Sequence, residues 1–144
     1  MSRGNAIALF SRIREKANRL IVTELEDHGI RGIVPSHGDI LNVLFAEKRC
    51  TMNELARKIH RTKPNVTVLI EKLVEYGYVQ KEKSAEDNRV TYITLTDKGE
   101  NLRPVFLSIS TKLNKTVYGR LSSEEAESLE QALQGISDRF PAGE

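Results

Sequence analysis

Two helix starts stand close together in the middle of the chain, and they constrain the fold more than any other feature. The first is TMNE at 51–54, a capping box in which the Thr51 hydroxyl accepts from the third helical amide and Glu54 reaches back. The second is Thr62, a typical N-cap, with Pro64 tolerated because first-turn amides have no partner within the helix. A short helix must therefore end between Thr51 and Thr62, and a tight turn must join it to the next helix.

The second of these helices separates its polar residues from its apolar ones along the chain. Cations and small polar residues fill its start, RTKPN at 61–65, and an apolar face follows at Val66, Leu69, Ile70 and Leu73. Gly77 is typical of a helix end. The segments YVQKEK and RVTYITL, rich in Val, Ile, Thr and Tyr, then flank the polar turn SAEDN, which predicts a β-hairpin.

Two short helices joined by a tight turn and followed by a hairpin form a winged helix-turn-helix. In that motif the second helix enters the major groove of double-stranded DNA with its N-terminal residues. Charge belongs at the first turn because the exposed helix-start amides also favour phosphate. The basic residues Arg57, Lys58, Arg61 and Lys63 have no acid between them. The alternatives are a winged helix that binds protein and a module that binds DNA nonspecifically.

Amphipathic helices flank this unit on both sides. Apolar residues recur at three- and four-residue spacing over 6–27, and a further helix is expected at about 36–47. The segment after Thr96 is predicted as one helix with a kink at Pro104, and the last helix starts with a Ser122–Glu125 capping box. The predicted fold class is mainly α with a small β-hairpin wing. Its domains are an N-terminal dimerisation helix at 1–34, the winged helix-turn-helix at 35–98, and C-terminal dimerisation helices at 99–144.

Several classes of protein are disfavoured by what the chain lacks. No apolar run approaches the roughly 18 residues of a membrane span, so we expect a cytoplasmic protein. A phosphate-binding glycine loop and a nucleophile elbow are both absent, so neither an enzyme nor a cofactor is predicted. Glu24, His28 and His37 could be suggested as zinc ligands, but helix ends explain the two histidines, and no metal is predicted. The single cysteine, Cys50, is interpreted as an inert, partly buried thiol rather than an oxidation sensor.

Three segments together resemble the MarR (multiple antibiotic resistance regulator) family of bacterial and archaeal transcription factors. They are NELARKI at 53–59, NVTVLIEKLVEYGYVQK at 65–81, and above all DNRVTYITLTDKG at 87–99. The last is similar to the family's wing signature, an Asp-x-Arg followed by a strand and then Leu-Thr-x-x-Gly. The resemblance implies a homodimer with interlocked terminal helices, which presents two winged domains to major grooves about one duplex turn apart on a pseudo-palindromic operator.

The predicted DNA-binding residues are Arg61, Thr62, Lys63, Asn65, Thr67, Val68, Lys81, Asp87 and Arg89. Arg89, at the wing tip, could enter the minor groove or pair with Asp87, and both can hold in one structure. Val68 departs from the family, in which many members have a polar or basic side chain at this position. We expect it to shift base recognition towards an apolar contact such as a thymine methyl group.

The resemblance also implies control by a small ligand, an aromatic or anionic effector bound between the dimer helices and the winged domain. The candidate residues for that pocket are Arg12, Arg14, Arg19, His37 and Tyr118. The expected mechanism is a repressor whose two recognition helices change their spacing when the effector binds, which weakens DNA binding without altering the contacting residues.

Overall fold

The computed structural model describes residues 4–141, which divide into two compact units, the first ending at Ile109 and the second beginning at Ser110. The outermost residues of the predicted dimerisation arms, 1–3 and 142–144, lie outside the described residues. The elements are α1 (Ala6–Asp27), α2 (Pro35–Glu47), β1 (Arg49–Thr51), α3 (Met52–Lys58), α4 (Lys63–Glu75), β2 (Val79–Lys83), β3 (Thr91–Leu95), α5 (Asp97–Glu100), α6 (Arg103–Tyr118) and α7 (Ser123–Arg139).

The predicted helix starts are confirmed by their hydrogen bonds. The Glu54 amide donates to Thr51 Oγ1 at 3.2 Å, and the Thr51 amide donates to Glu54 Oε1 at 3.4 Å, which completes the capping box of α3. The Asn65 amide donates to Thr62 Oγ1 at 3.4 Å, and Pro64 lies in the first turn of α4. These caps satisfy amides that would otherwise lack partners, so local sequence determines where both helices begin.

Helix α3 ends in a Schellman motif that creates the turn of the helix-turn-helix. The Arg61 amide donates to Ala56 O at 3.0 Å and the His60 amide to Arg57 O at 3.3 Å, while His60 has a left-handed φ of 56°. The C-terminus of α4 has the same bonding pattern, with Gly77 at φ 84° in the corresponding position. A residue other than glycine therefore occupies the left-handed position at the turn.

The hairpin is confirmed, and it belongs to a three-stranded antiparallel sheet of order β1-β3-β2. Strands β2 and β3 pair from Val79 opposite Leu95 to Lys83 opposite Thr91. The third strand, β1, was not predicted, and it places Cys50 opposite Ile93. Three residues are too short for an alternating pattern, so only pairing with β3 makes this segment a strand.

The core of the first unit lies between α2, α3, α4 and the sheet. Its fully buried side chains are mainly aliphatic and come from every one of these elements, with one more from α1: Leu25, Ile40, Leu41, Leu44, Cys50, Leu55, Val66, Ile70, Leu73, Val79 and Ile93. The apolar face predicted for α4 is confirmed, since Val66, Ile70 and Leu73 are buried. Burial of this face holds the opposite face of α4 towards solvent.

The prediction of one kinked helix after Thr96 is wrong. Helix α5 ends at Glu100, and α6 starts anew at Arg103. The Leu102 amide donates to Gly99 O and the Phe106 amide to Leu102 O, so the chain turns between the two helices. Pro104 therefore lies in the first turn of α6, where its missing N–H breaks no helical hydrogen bond.

The second unit contains the last part of α6 and all of α7. The predicted capping box of α7 is confirmed, because the Glu125 amide donates to Ser122 Oγ at 3.1 Å and the Ser122 amide to Glu125 Oε1 at 3.0 Å. No residue of α7 is buried, although its apolar side chains include Leu129 and Leu133 at 37% and 41% exposure. Among residues 4–141, no helix is both long enough and apolar enough to cross a membrane.

Candidate nucleic-acid interface

The first turn of α4 presents polar side chains to solvent. Thr62, Lys63 and Asn65 are all exposed, and Arg61 is half-buried at the preceding position. The Thr62 oxygen accepts from the Asn65 amide, which leaves its hydroxyl hydrogen available to a further acceptor. An exposed helix start with a lysine and free donors is suited to bind phosphate oxygens.

The next turn of α4 presents fewer free polar groups than the first turn. The Thr67 hydroxyl donates to Lys63 O at 2.9 Å, so its hydrogen is already used within the helix. Val68 is 66% exposed, although the apolar residues Val66 and Ile70 on the same helix are fully buried. The surface that follows the polar start is therefore partly apolar.

The basic cluster around the turn is less uniform than the sequence indicates. Lys58 Nζ lies 3.0 Å from Glu47 Oε1, so part of its charge is neutralised by a neighbour. Arg57, Arg61 and Lys63 form no ion pair with any residue in the range 4–141. Three cations at the turn and at the start of α4 are therefore open to an external anion.

The wing tip holds Arg89 in a defined orientation. Asp87 Oδ1 accepts from the Arg89 amide at 3.0 Å and from its Nε at 3.1 Å, and Oδ2 accepts from Nη2 at 3.3 Å. These hydrogen bonds lower the pKa of Asp87. The Arg89 side chain remains 90% exposed, so the predicted pairing with Asp87 is confirmed and the guanidinium still faces solvent. Ser84 Oγ orders the turn by accepting from the Glu86 and Asp87 amides.

Lys81 lies in the middle of β2, opposite Ile93 of β3. Its side chain is exposed, as are those of Glu82 and Lys83 beside it. The wing thus contributes cations from the strand as well as from the tip. All nine predicted DNA-binding residues lie in the first unit, at the start of α4 or in the hairpin.

Sequence reasoning missed a group of residues that holds the C-terminal end of α4. The Thr96 hydroxyl donates to Gly77 O, the Thr96 amide donates to Tyr78 O at 3.1 Å, and Lys98 Nζ donates to Tyr76 O at 2.7 Å. Lys98 also lies 4.7 Å from the centre of the Tyr78 ring, a cation–π distance.

The same segment explains the glycine of the Leu-Thr-x-x-Gly motif. A Cβ at Gly99 would overlap the Tyr78 carbonyl oxygen and would lie 3.1 Å from Leu95 Cδ2. Glycine is therefore required for the close approach of α5 to the chain that leaves α4. In the sequence, Thr96 indicated a helix cap and Gly99 belonged to the wing motif, but neither indicated the contact with Tyr78.

The effector candidates have varied surroundings. Arg12 and Arg14 are exposed on α1, and Arg19 pairs with Glu15 at 3.2 Å. His37 is buried, and its Nδ1 accepts from the Val34 amide at 3.0 Å, so it helps to cap α2. Burial and the charge of Lys72 lower the pKa of His37. Tyr118 belongs to the second unit, where burial and the Glu130 carboxylate raise its pKa.

Metal binding and thiol chemistry are the two remaining alternatives from the sequence. His28 Nδ1 contacts Glu24 O at 2.8 Å, and no group of three His, Cys, Asp or Glu side chains in the described part of the chain is arranged to hold a metal ion. Cys50 is 1% exposed, and burial followed by the carboxylates of Glu54 and Glu47 raises its pKa. Its predicted inertness agrees with these surroundings, since the thiolate is the reactive form.

A short helix, a Schellman turn, an exposed second helix and a charged hairpin define a winged helix-turn-helix DNA-binding protein. A sequence profile of the MarR family matches residues 33–91. The HTH-type transcriptional regulator SarZ of Staphylococcus haemolyticus is 30% identical over 102 residues, which cover 70% of this chain and 68% of SarZ. The chain belongs to the MarR family, a family of transcriptional regulators rather than enzymes, and it is a DNA-binding regulator.

Solved structures agree with this assignment. A complex of S. aureus MepR with DNA superposes with a TM-score of 0.81 at 27% identity, over 92% of this chain and 96% of MepR. The fold is also that of Bordetella bronchiseptica BpsR, with a TM-score of 0.77 at 17% identity over 92% and 93% of the two chains. The structure of BpsR concerns the regulation of its DNA binding by 6-hydroxynicotinic acid.

Proposed function

We propose that the protein is a homodimeric repressor that binds a pseudo-palindromic operator and is released from it by a small effector. The observation that carries the proposal is the exposed polar start of α4 beside Arg57, Arg61 and Lys63, which form no ion pair within residues 4–141. In this arrangement α4 enters the major groove with Lys63 and Asn65 foremost, and Thr62 and Lys63 contact phosphates.

The wing gives the second part of the DNA contact. Arg89 is held by Asp87 yet 90% exposed, so its guanidinium is oriented before DNA arrives and loses little side-chain freedom on binding. We assign it to the minor groove beside the major groove occupied by α4, where a narrow A·T tract concentrates negative potential. Lys81 on β2 contacts the phosphate backbone from the same side of the domain.

The dimer is supported by apolar side chains for which the described chain offers little cover. Helix α1 exposes Ile7 at 65% and Ile13 at 55%, and α7 exposes Leu129 and Leu133, four residues apart. Phe140, the residue that follows α7, is exposed as well. Apolar stripes of this kind at both chain ends favour burial against a second copy. A homodimer also provides the two-fold symmetry that a pseudo-palindromic operator requires.

Effector release is the third part of the proposal. BpsR, which shares the fold, has its DNA binding regulated by 6-hydroxynicotinic acid, a small aromatic anion. The exposed cations Arg12 and Arg14 on α1 are the candidates to recognise such an anion here, together with Arg19, His37 and Tyr118. Binding of the effector then alters the spacing of the two recognition helices and weakens the DNA complex.

The first experiment measures fluorescence anisotropy with a duplex from the gene's own upstream region and with a scrambled duplex, over a series of salt concentrations. A preference of about 10³-fold or more for the native duplex near physiological salt supports a sequence-specific regulator. Arg89→Ala is expected to weaken that binding, and Arg120→Ala, at an exposed arginine between α6 and α7, serves as the control. Lys63→Ala is expected to lower affinity for all duplexes and to reduce the salt dependence.

The dimer and the effector are tested separately. Sedimentation velocity is expected to give a dimer, which Leu129→Glu combined with Leu133→Glu disrupts, while Gln131→Glu on the same helix does not. Addition of 6-hydroxynicotinic acid or benzoate to the native complex tests for release of DNA. A monomer at micromolar concentration, or equal binding to native and scrambled duplexes, would refute the corresponding part of the proposal.

A further inference from the structure

The recognition helix carries an apolar surface where its face meets solvent. Val68 is 66% exposed, and Pro64, one helical turn before it, is also exposed. Residues four apart lie side by side on a helix, so the proline ring and the valine methyl groups form one apolar strip. The strip faces away from the core, because Val66, Ile70 and Leu73 occupy the buried side of α4.

Polar side chains flank this strip, since Asn65 lies three residues before Val68 and Glu71 three residues after it, and both are exposed. Asn65 is exposed and offers an amide, but the Thr67 hydroxyl already donates to Lys63 O at 2.9 Å. One turn further on, Lys72 lies 3.6 Å from Glu75 Oε2 and 5.6 Å from the Tyr76 ring. Val68 therefore presents methyl groups, and no hydrogen-bonding group of its own, between these polar side chains.

The major-groove edges of the bases differ in how they meet such a surface. Thymine presents a C5 methyl group beside its O4 acceptor, whereas guanine and adenine present N7 acceptors and cytosine an N4 donor, with no methyl group. Val68 against one of those polar groups would displace its water without replacing the hydrogen bond. A pyrimidine C5 methyl is the group that an exposed valine can bury at no such cost.

We infer that Val68 is a specificity-determining residue that recognises the C5 methyl group of a pyrimidine in each operator half-site, with Pro64 extending the apolar contact. The inference rests on the proposed entry of α4 into the major groove. The methyl group belongs to thymine in ordinary DNA and to 5-methylcytosine in modified DNA, and the two sources present the same chemistry at the same edge of the base.

The test replaces thymines of the native duplex one at a time with deoxyuridine, which lacks only the C5 methyl group, and measures affinity by anisotropy. Loss of one buried methyl is expected to weaken binding about fourfold, and loss at both symmetry-related positions about fifteenfold. In Val68→Ala, deoxyuridine at these positions is expected to cause little or no loss of affinity. Val74→Ala, a valine on the same helix with 39% exposure, is the matched control and is expected to keep the full penalty.

A second experiment separates the effect of the methyl group on affinity from the effect of the rest of the base pair. Cytosine and 5-methylcytosine are placed in turn at the sensitive position, and methylation is expected to restore about fourfold in affinity to the native protein but not to Val68→Ala. If the protein prefers the native duplex but no deoxyuridine substitution changes its affinity, this inference is wrong and the proposed function stands. The same conclusion follows if Val68→Ala keeps the full loss of affinity on deoxyuridine substitution. Absence of any preference for the native duplex overturns the proposed function and this inference with it.

Discussion

Replacement of Gly99 by alanine tests how the wing motif holds the recognition helix. Gly99 is buried, and an added Cβ would lie far inside the 3.0 Å limit of real Cβ contacts, against the Tyr78 carbonyl oxygen. That atom belongs to the backbone and accepts from the Thr96 amide at 3.1 Å, so it cannot move aside freely. Thr96 in turn donates to Gly77 O and accepts from the Gly99 amide at 3.1 Å. The substitution therefore strains the connection between α5 and the end of α4.

The expected cost follows from two contributions. Overpacking of a well-packed site typically destabilises a protein by about 1–3 kcal/mol. Displacement of the Tyr78 carbonyl also weakens its hydrogen bond with Thr96, which adds about 0.5–1.5 kcal/mol. We expect a combined loss of about 2–4 kcal/mol in the free energy of unfolding, together with weaker DNA binding because the C-terminal end of α4 moves.

Urea denaturation followed by far-UV circular dichroism, at one protein concentration for all variants, measures the change. Gly135→Ala is the control, because Gly135 lies within α7 and a Cβ there meets no atom within 4 Å. We expect this control to gain about 0.5–1 kcal/mol from the better helix propensity of alanine. A Gly99→Ala protein with the midpoint and DNA affinity of the unmodified chain would refute the steric argument.

Three further predictions concern other sites. His60→Gly should raise the free energy of unfolding by about 0.5–1 kcal/mol, since φ at His60 is 56° and relief of left-handed strain outweighs the entropy of glycine; an unchanged urea midpoint contradicts this. The lowered pKa of His37 contributes stability that is fully present above its ordinary value of 6.5 and is lost as pH falls towards the folded pKa. Unfolding free energies measured from about pH 8 to about pH 5 should therefore decline less in His37→Asn, which keeps an acceptor for the Val34 amide. Cys50 should react with a thiol reagent only at the rate of unfolding, and rapid modification of the folded protein would disprove its burial.

The candidate site divides into parts that the sequence predicts and parts that it does not. The cap at Thr62 and the pairing of Arg89 with Asp87 link residues two or three positions apart, so short-range pattern is enough to predict them. The bond from Lys98 to Tyr76 O links residues 22 positions apart, and no local pattern encodes it. Exposure of Val68 depends on which face of α4 the core covers, which the period of Val66, Ile70 and Leu73 already indicated.

By itself, the sequence determined the helix starts at Thr51, Thr62 and Ser122, the hairpin and the buried face of α4. Caps satisfy neighbouring amides and periodicity reflects one local geometry, so these features depend on residues close in the chain. Tertiary structure alone decided the strand β1, the break before Arg103 and the need for glycine at residue 99. Each of these involves a distant segment, since β1 pairs with β3, Gly99 packs against Tyr78, and Arg103 Nη1 donates to Phe45 O at 2.8 Å. Backbone pairing and close packing arise only when the fold brings such segments together.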